Sequence, residues 1–214
     1  MTKSRSVLVF GATGEIGGRI ARLAADAGHR VYGVSRGLNT RMAVDLRGVE
    51  MVTGDKTDPE FLRRVCAALP VDAVIDSVPN TALVEEYHRC FSRVRNVLLC
   101  SSTGTFVPLQ YFPADEFHPW RQENEVNFHH KIQCDRRALE LFESDGFPVT
   151  IFRPTNIIGE GRVPLDLWGG RDIGFFRKLR NHETVEVPDC REILLQPGYN
   201  WDLANAFVKA LEQP

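Results

Sequence analysis

The chain has 214 residues, 43% of them hydrophobic and 25% charged. That balance suits a globular domain able to bury one sizeable core, and it excludes a disordered chain, a collagen-like repeat and a coiled coil. Lys+Arg number 26 and Asp+Glu 28, so the formal net charge of −2 gives no overall field to attract nucleic acid or an anionic membrane.

Apolar runs alternate with helical patterns, as in a βαβ chain. A strand is expected over Ser6–Phe10, then a helix over Gly14–Ala27 with Ile16, Ile20, Leu23 and Ala27 on one face and Gly28 as its stop. Strands follow at Arg30–Ser35 and Glu50–Thr53, and Asp58-Pro59 opens a helix over Pro59–Ala68 with an N-cap and a first-turn proline. Next come a strand at Ala73–Ser77, a helix at Thr81–Arg93, a strand at Val97–Ser101, a helix at Asn127–Ser144, a strand at Val149–Arg153 and a helix at Trp201–Glu212. All six strands read as short buried runs. Thr103–Glu125 and Asn156–Pro197 break the rhythm. They read as long irregular loops at strand ends, where open α/β sheets bind ligands. The expected fold is α/β: one domain over 1–214 built on a doubly wound, mostly parallel sheet, with 156–200 forming a small C-terminal substrate-binding region.

Cys66, Cys90, Cys100, Cys134 and Cys190 are odd in number and none pair in CxxC spacing, which argues against a disulfide framework or a zinc site. Val7–Phe10 is too short for a signal-peptide core, and no run approaches a membrane helix. The expected protein is soluble and cytoplasmic, with buried thiols, no metal and no membrane partner.

Gly11-Ala12-Thr13-Gly14-Glu15-Ile16-Gly17 sits between the first strand and first helix. In that context a glycine turn reads as a dinucleotide-binding fingerprint. Gly11 permits the turn, Gly14 lets backbone approach a pyrophosphate, and Gly17 lets the helix pack closely. The free N–H groups and the helix dipole favour the phosphates. The second strand ends in Ser35-Arg36, where an acidic residue would select NAD. Arginine there accommodates a 2′-phosphate and selects NADP, with Arg41 in reach to assist and NAD left open. The plainer reading of Arg36 is a solvated surface arginine.

The GxxGxxG spacing with Ala-Thr inside resembles the short-chain dehydrogenase/reductase superfamily in its extended or atypical branch, which includes the NAD-dependent epimerase/dehydratase proteins. The resemblance runs from Val7 to Leu211. Gly54-Asp55-Lys56-Thr57-Asp58 looks like the family's Gly-Asp-x-x-Asp, which implies that Asp55 approaches the adenine; an N-cap cluster is the alternative. Asp76-Ser77-Val78-Pro79 departs from the family pattern, yet its position implies that Ser77 lines the cofactor pocket. Cys100-Ser101-Ser102 resembles the family's active-site serine segment, which implies that Ser102 orients the substrate oxygen. Lys131 matches the Lys of Tyr-x-x-x-Lys and would hold the nicotinamide ribose. The Tyr position is then Asn127, twenty-five residues after Ser102, a spacing that fits the family.

An amide cannot serve as a neutral-pH acid, and losing a positioned general acid costs about 10²–10⁴-fold. His130, three residues on, and Tyr111, in the irregular loop, are the candidate substitutes. Both also read as ordinary surface or packed residues. Arg153-Pro154 matches the family segment that passes over the nicotinamide; Arg153 either binds an anion or anchors its loop. Phe175–Arg180 reads as an amphipathic helix with a basic solvated face. That helix, Val185–Pro188 and the missing Tyr resemble the chloroplast stem-loop RNA-binding subgroup, against which the net charge argues. Relatives dimerise through helices matching Thr81–Arg93 and Asn127–Ser144, so the resemblance leaves a homodimer open. It also implies that the chain is either a truncated piece or a minimal member. The resulting expectation is an NADP-preferring oxidoreductase acting on a ketone, secondary alcohol or sugar-like small molecule. The alternatives are a non-redox isomerase or cyclase, and a non-enzymatic nucleotide- or RNA-binding protein.

Overall fold

A computed structural model describes residues 4–38, 44–121, 129–191 and 194–213. Six parallel strands form the central sheet: β1 (Ser6–Phe10), β2 (Arg30–Ser35), β3 (Val49–Thr53), β4 (Ala73–Asp76), β5 (Asn96–Cys100) and β6 (Val149–Phe152). Their order is 3-2-1-4-5-6. This is the doubly wound arrangement, whose switch point lies between β1 and β4. The strands agree with the sequence reading to within a residue at each end.

Alternation along each strand feeds two cores. Leu8 and Phe10 of β1 enter one, with Phe61, Leu62, Val84, Tyr87 and Ala138. These come from α2 (Pro59–Ala68), α3 (Thr81–Cys90) and α4 (His129–Asp145). Val7 and Val9 enter the other, with Ile20, Ala24, Phe207 and Leu211. There α1 (Glu15–Asp26) packs against α6 (Asn200–Ala210). Asp58 caps α2 by accepting from Glu60 N at 2.9 Å, and Gly28 takes φ +86° beyond α1.

Four expectations need correction. β3 and β6 are the two edge strands and neither holds a fully buried residue, because among the described residues each lacks a neighbouring strand on its outer side. α3 ends at Cys90 rather than Arg93, with Phe91 at φ −110°, ψ 44° as the C-cap. The Asn156–Pro197 stretch is not wholly irregular: β7 (Asn156–Ile158) pairs in parallel with β8 (Pro197–Tyr199), and α5 (Ile173–Arg180) lies between them. Thr103–Thr105 forms a short 3₁₀ turn. Of the five cysteines, Cys100 and Cys134 are buried and the other three are partly buried. Burial pushes the Cys100 thiol up to about 11 and the Cys134 thiol to about 12, and raises those of Cys66 and Cys90. Among the described residues no helix is long and apolar enough to cross a membrane, and no cluster could hold a metal ion.

Candidate functional site

A cleft of about 620 Å³ opens at the carboxyl ends of β1, β2, β3 and β4. Gly11, Thr13, Gly14, Glu15 and Ile16 form one wall, Ser35 and Arg36 one end, Asp55 and Ser77 the floor. So nine of the sequence-predicted binding residues meet in one place. Gly17 lies just behind the wall and is buried. No side chain caps α1, so its first N–H groups face the cleft without an intrahelical partner. That is a ready anion site at the positive end of the helix dipole. Gly11 N and Ala12 N both donate to Val34 O, which fixes the turn to β2.

Arg36 is exposed and stands near Asp55, whose carboxyl is held below its ordinary pKa chiefly by hydrogen bonds from Thr57, with a smaller contribution from Arg36. Asp55 Oδ1 accepts from Thr57 N at 2.9 Å and Thr57 Oγ1 at 2.8 Å. Glu15 projects into the cleft wall, but its Oε1 is engaged by Asn200 Nδ2 at 2.7 Å and Arg19 Nη1 at 3.1 Å. Ser77 Oγ donates to Phe10 O at 3.1 Å. Arg41 lies outside the described residues.

The second predicted constellation lies where β5 and β6 end. Ser102 caps the 3₁₀ turn, its Oγ accepting from Gly104 N at 3.1 Å. Thr103 N and Oγ1 both donate to Pro154 O, at 3.0 and 3.2 Å, which ties this turn to the Arg153-Pro154 segment. Helix α4 also packs against this turn. The Lys131 charge is felt by Cys100 at the end of β5 and by Cys134 and Asp135 on its own helix. Ser102 and Lys131 therefore share one sheet edge. His130 is exposed on the first turn of α4, and Asn127 lies outside the described residues.

Tyr111 is partly exposed, and its ring lies against that of His118, centroids 4.6 Å apart and tilted by 44°. Its hydroxyl donates to Asp115 Oδ1 at 2.7 Å, and that bond raises the phenol pKa. His118 is buried. Gln110 N donates to its Nε2 at 2.9 Å, which leaves Nδ1 as the protonated nitrogen, facing Pro119 O at 2.8 Å.

Arg153 is partly buried. Its guanidinium carbon lies 4.8 Å from the Phe106 ring centroid and 4.7 Å from that of Trp120. Its Nε donates to Asp135 Oδ2 at 2.9 Å, and Ser101 Oγ donates to the same oxygen at 2.8 Å. The geometry is that of a loop anchor. Asp135 is fully buried, and burial raises its carboxyl pKa although Arg153, Ser101 and Lys131 all oppose the shift. A carboxyl with a raised folded-state pKa holds more protons folded than unfolded. Its contribution to stability therefore falls as pH climbs from the ordinary carboxylate range to the raised value. The expected result is that wild type loses stability relative to Asp135→Asn over that interval, read by urea unfolding at a series of pH values. A flat difference would refute it.

Three further groups in or beside the cleft carry no motif signature. Lys56, on the cleft wall, forms an ion pair with the buried Asp76, and Arg162 reaches the cleft from the loop after β7. Asp135 was legible in principle, since it follows Lys131 by four residues and so shares its helix face.

The NmrA-like family matches residues 3–153. Among curated proteins, the chain is 25% identical over 224 residues to the chloroplast stem-loop binding protein of 41 kDa b of Arabidopsis thaliana, covering 98% of this chain and 56% of that protein. A protein of the same plant named probable pinoresinol-lariciresinol reductase 3 is 27% identical over 153 residues, covering 69% of this chain and 46% of that protein. The chain thus spans about half the length of the curated relatives it matches. Among solved structures, the Bordetella bronchiseptica enzyme WbmH in complex with NAD+ superimposes with a TM-score of 0.72 at 20% identity, over 99% of this chain and 73% of that one. The dTDP-glucose 4,6-dehydratase of Bacillus anthracis in complex with NAD does so with a TM-score of 0.75 at 15% identity, over 98% of this chain and 72% of that one.

Proposed function

The chain belongs to the NmrA-like family, and from that premise we propose that it is an NADP-preferring oxidoreductase of the atypical extended type, acting on a ketone, secondary alcohol or sugar-like substrate. The observation that carries this reading is the cleft itself. It runs from the uncapped start of α1 to an exposed arginine at the end of β2. The likeness to proteins solved with NAD supports a nicotinamide dinucleotide as its occupant. NADPH, when bound, supplies the hydride. Gly11–Gly17 takes the phosphates and Arg36 the 2′-phosphate. Lys131 holds the ribose and Ser102 the substrate oxygen, while 156–200 forms the substrate side. His130 is the acid of choice in place of the phenol that Asn127 lacks, because the Tyr111 hydroxyl is already committed as a hydrogen-bond donor to Asp115, which holds its proton more tightly.

The test is a fluorescence titration with NADPH and NADH. Hydrogen bonds to a charged group are worth about 1.5–3 kcal/mol, which is about 10- to 100-fold in affinity. Arg36→Ala is therefore expected to weaken NADPH by that factor and leave NADH within about twofold. Equal loss of both ligands, or of neither, would remove the NADP assignment.

A second reading keeps the nucleotide and omits the hydride transfer, leaving a non-redox isomerase or cyclase, or a nucleotide- or RNA-binding protein. It is favoured by the amide at 127 and by the likeness to a stem-loop binding protein. A panel of carbonyl substrates followed at the nicotinamide band separates the two. RNA binding whose affinity falls steeply with salt would favour the second.

A further inference from the structure

The loop after β7 carries a cation that the motifs do not mark. Residues 159–162 form a tight turn in which Arg162 N donates to Gly159 O at 3.1 Å and the two residues pair as an antiparallel bridge. This turn is fastened to the start of α1. Arg19, 1% exposed, donates to Glu15 O and to Glu160 O, both at 2.8 Å. The buried Asn200 donates through Nδ2 to Glu15 Oε1 at 2.7 Å and to Glu160 O at 3.3 Å. Gly159 stands at φ +139°, and a Cβ there would overlap the Asn200 carboxamide. These contacts hold the turn against the start of α1, and Arg162 lines the cleft together with the glycine turn.

The charge balance gives the arginine its meaning. Glu15 is an acid at the mouth of a phosphate site, where an unopposed carboxylate would repel the ligand. Its Oε1 is engaged by Arg19 and Asn200. Arg162 has no side-chain hydrogen bond or ion pair among the described residues. Its charge acts on a like-signed neighbour: the Arg171 pKa is lowered by burial first and by Arg162 second, with Glu15 opposing. Arg171 is itself spent on Asn156 Oδ1 at 2.9 Å and on the carbonyls of Ile157 and Val163. Arg36 stands at the other end of the cleft, beside Asp55. So one arginine marks the 2′-phosphate end, and the other lines the cleft from the turn tied to the start of α1.

We propose that Arg162 clamps the pyrophosphate of the dinucleotide from the turn fastened to the start of α1. The turn built by Gly159, Arg19 and Asn200 holds it there. This rests on the nucleotide reading of the cleft. The guanidinium fork matches phosphate oxygens in geometry as well as charge.

The test compares wild type with Arg162→Ala in NADPH titrations and in competition by ADP-ribose, which carries the pyrophosphate, and by adenosine 2′-monophosphate, which does not. The expected result is a loss of about tenfold or more for NADPH and ADP-ribose, with adenosine 2′-monophosphate unchanged within about twofold. Arg162 is exposed, so the thermal unfolding curve without ligand should not move. Wild-type binding of ADP-ribose with Arg162→Ala within about twofold of it overturns the clamp alone. Equal weakening of all three ligands overturns it too, in favour of a 2′-phosphate or structural role. A wild-type protein that binds neither NADPH nor ADP-ribose overturns the nucleotide reading together with the clamp.

Discussion

Asp76→Ala is expected to cost about 3–5 kcal/mol of folding stability, the range for breaking a buried ion pair from one side. Asp76 is fully buried at the end of β4. Its carboxylate accepts from Lys56 Nζ at 2.6 and 2.8 Å, from Tyr87 OH at 2.7 Å and from Val78 N at 2.9 Å. The Tyr87 pKa is pushed well above its ordinary value by burial and by the Asp76 charge, so the phenol stays a donor at any working pH. Alanine would leave the buried Tyr87 hydroxyl and the partly buried Lys56 ammonium without this acceptor. Lys56 retains only Val78 O, at 2.6 Å. Urea unfolding reads the loss, and a chain of this size moves about 2–4 °C per kcal/mol in Tm. The double variant Lys56→Met/Asp76→Leu should recover much of it, because a buried pair exchanged for apolar groups is often neutral. A loss below about 1 kcal/mol for Asp76→Ala would mean that water reaches the pair. The pair also joins the loop after β3 to the loop after β4, so the same variant should weaken nucleotide binding.

The sheet was legible because buried parallel strands are near-continuous apolar runs, and each was punctuated by a glycine or an N-cap that the chain places locally. β3 reads less cleanly: Glu50 and Thr53 already betray an exposed side, but only the strand order makes it an edge. β7 and β8 escaped for the opposite reason. Each has three residues, one opening with proline and glycine, and such segments become strands only through a partner far along the chain. The glycine turn and Arg36 were readable because phosphate chemistry demands particular residues at fixed offsets from a strand. Lys56 and Asp76 are twenty residues apart, and no offset rule marks them; only the closing of two loops around one carboxylate makes them a pair. Arg153 had a motif but two open roles, and its seat between Phe106 and Trp120 against Asp135 depends on three separate segments.

Gly17→Val should damage folding and nucleotide binding together, and the second effect should be the larger. A Cβ on Gly17 would lie 2.8 Å from Gly11 C and 3.0 Å from Ser77 Oγ, with Gly11 O closer still. Two of those three atoms are backbone of the phosphate turn itself. They cannot retreat without breaking the bonds from Gly11 N to Val34 O at 3.1 Å and from Gly14 N to Gly11 O at 2.9 Å. Overpacking of this kind costs about 1–3 kcal/mol, and a branched side chain in a first helical turn adds to it. For the ligand the consequence is steeper. The N–H groups at the start of α1 work as an anion site only while turn and helix keep their spacing, and displacement removes several charge-assisted bonds at once. NADPH affinity should fall by about 100-fold or more, the scale of about 3 kcal/mol. Gly18→Ala is the control one residue away. Its Cβ would meet Ala12 O at 3.1 Å and Val44 Cγ2 at 3.3 Å, milder contacts than those at Gly17 although Ala12 also belongs to the turn, so binding should stay within about threefold. Should Gly17→Val bind NADPH as wild type does, the glycine turn is not where the phosphates sit, and the nucleotide must be sought on another part of the sheet edge.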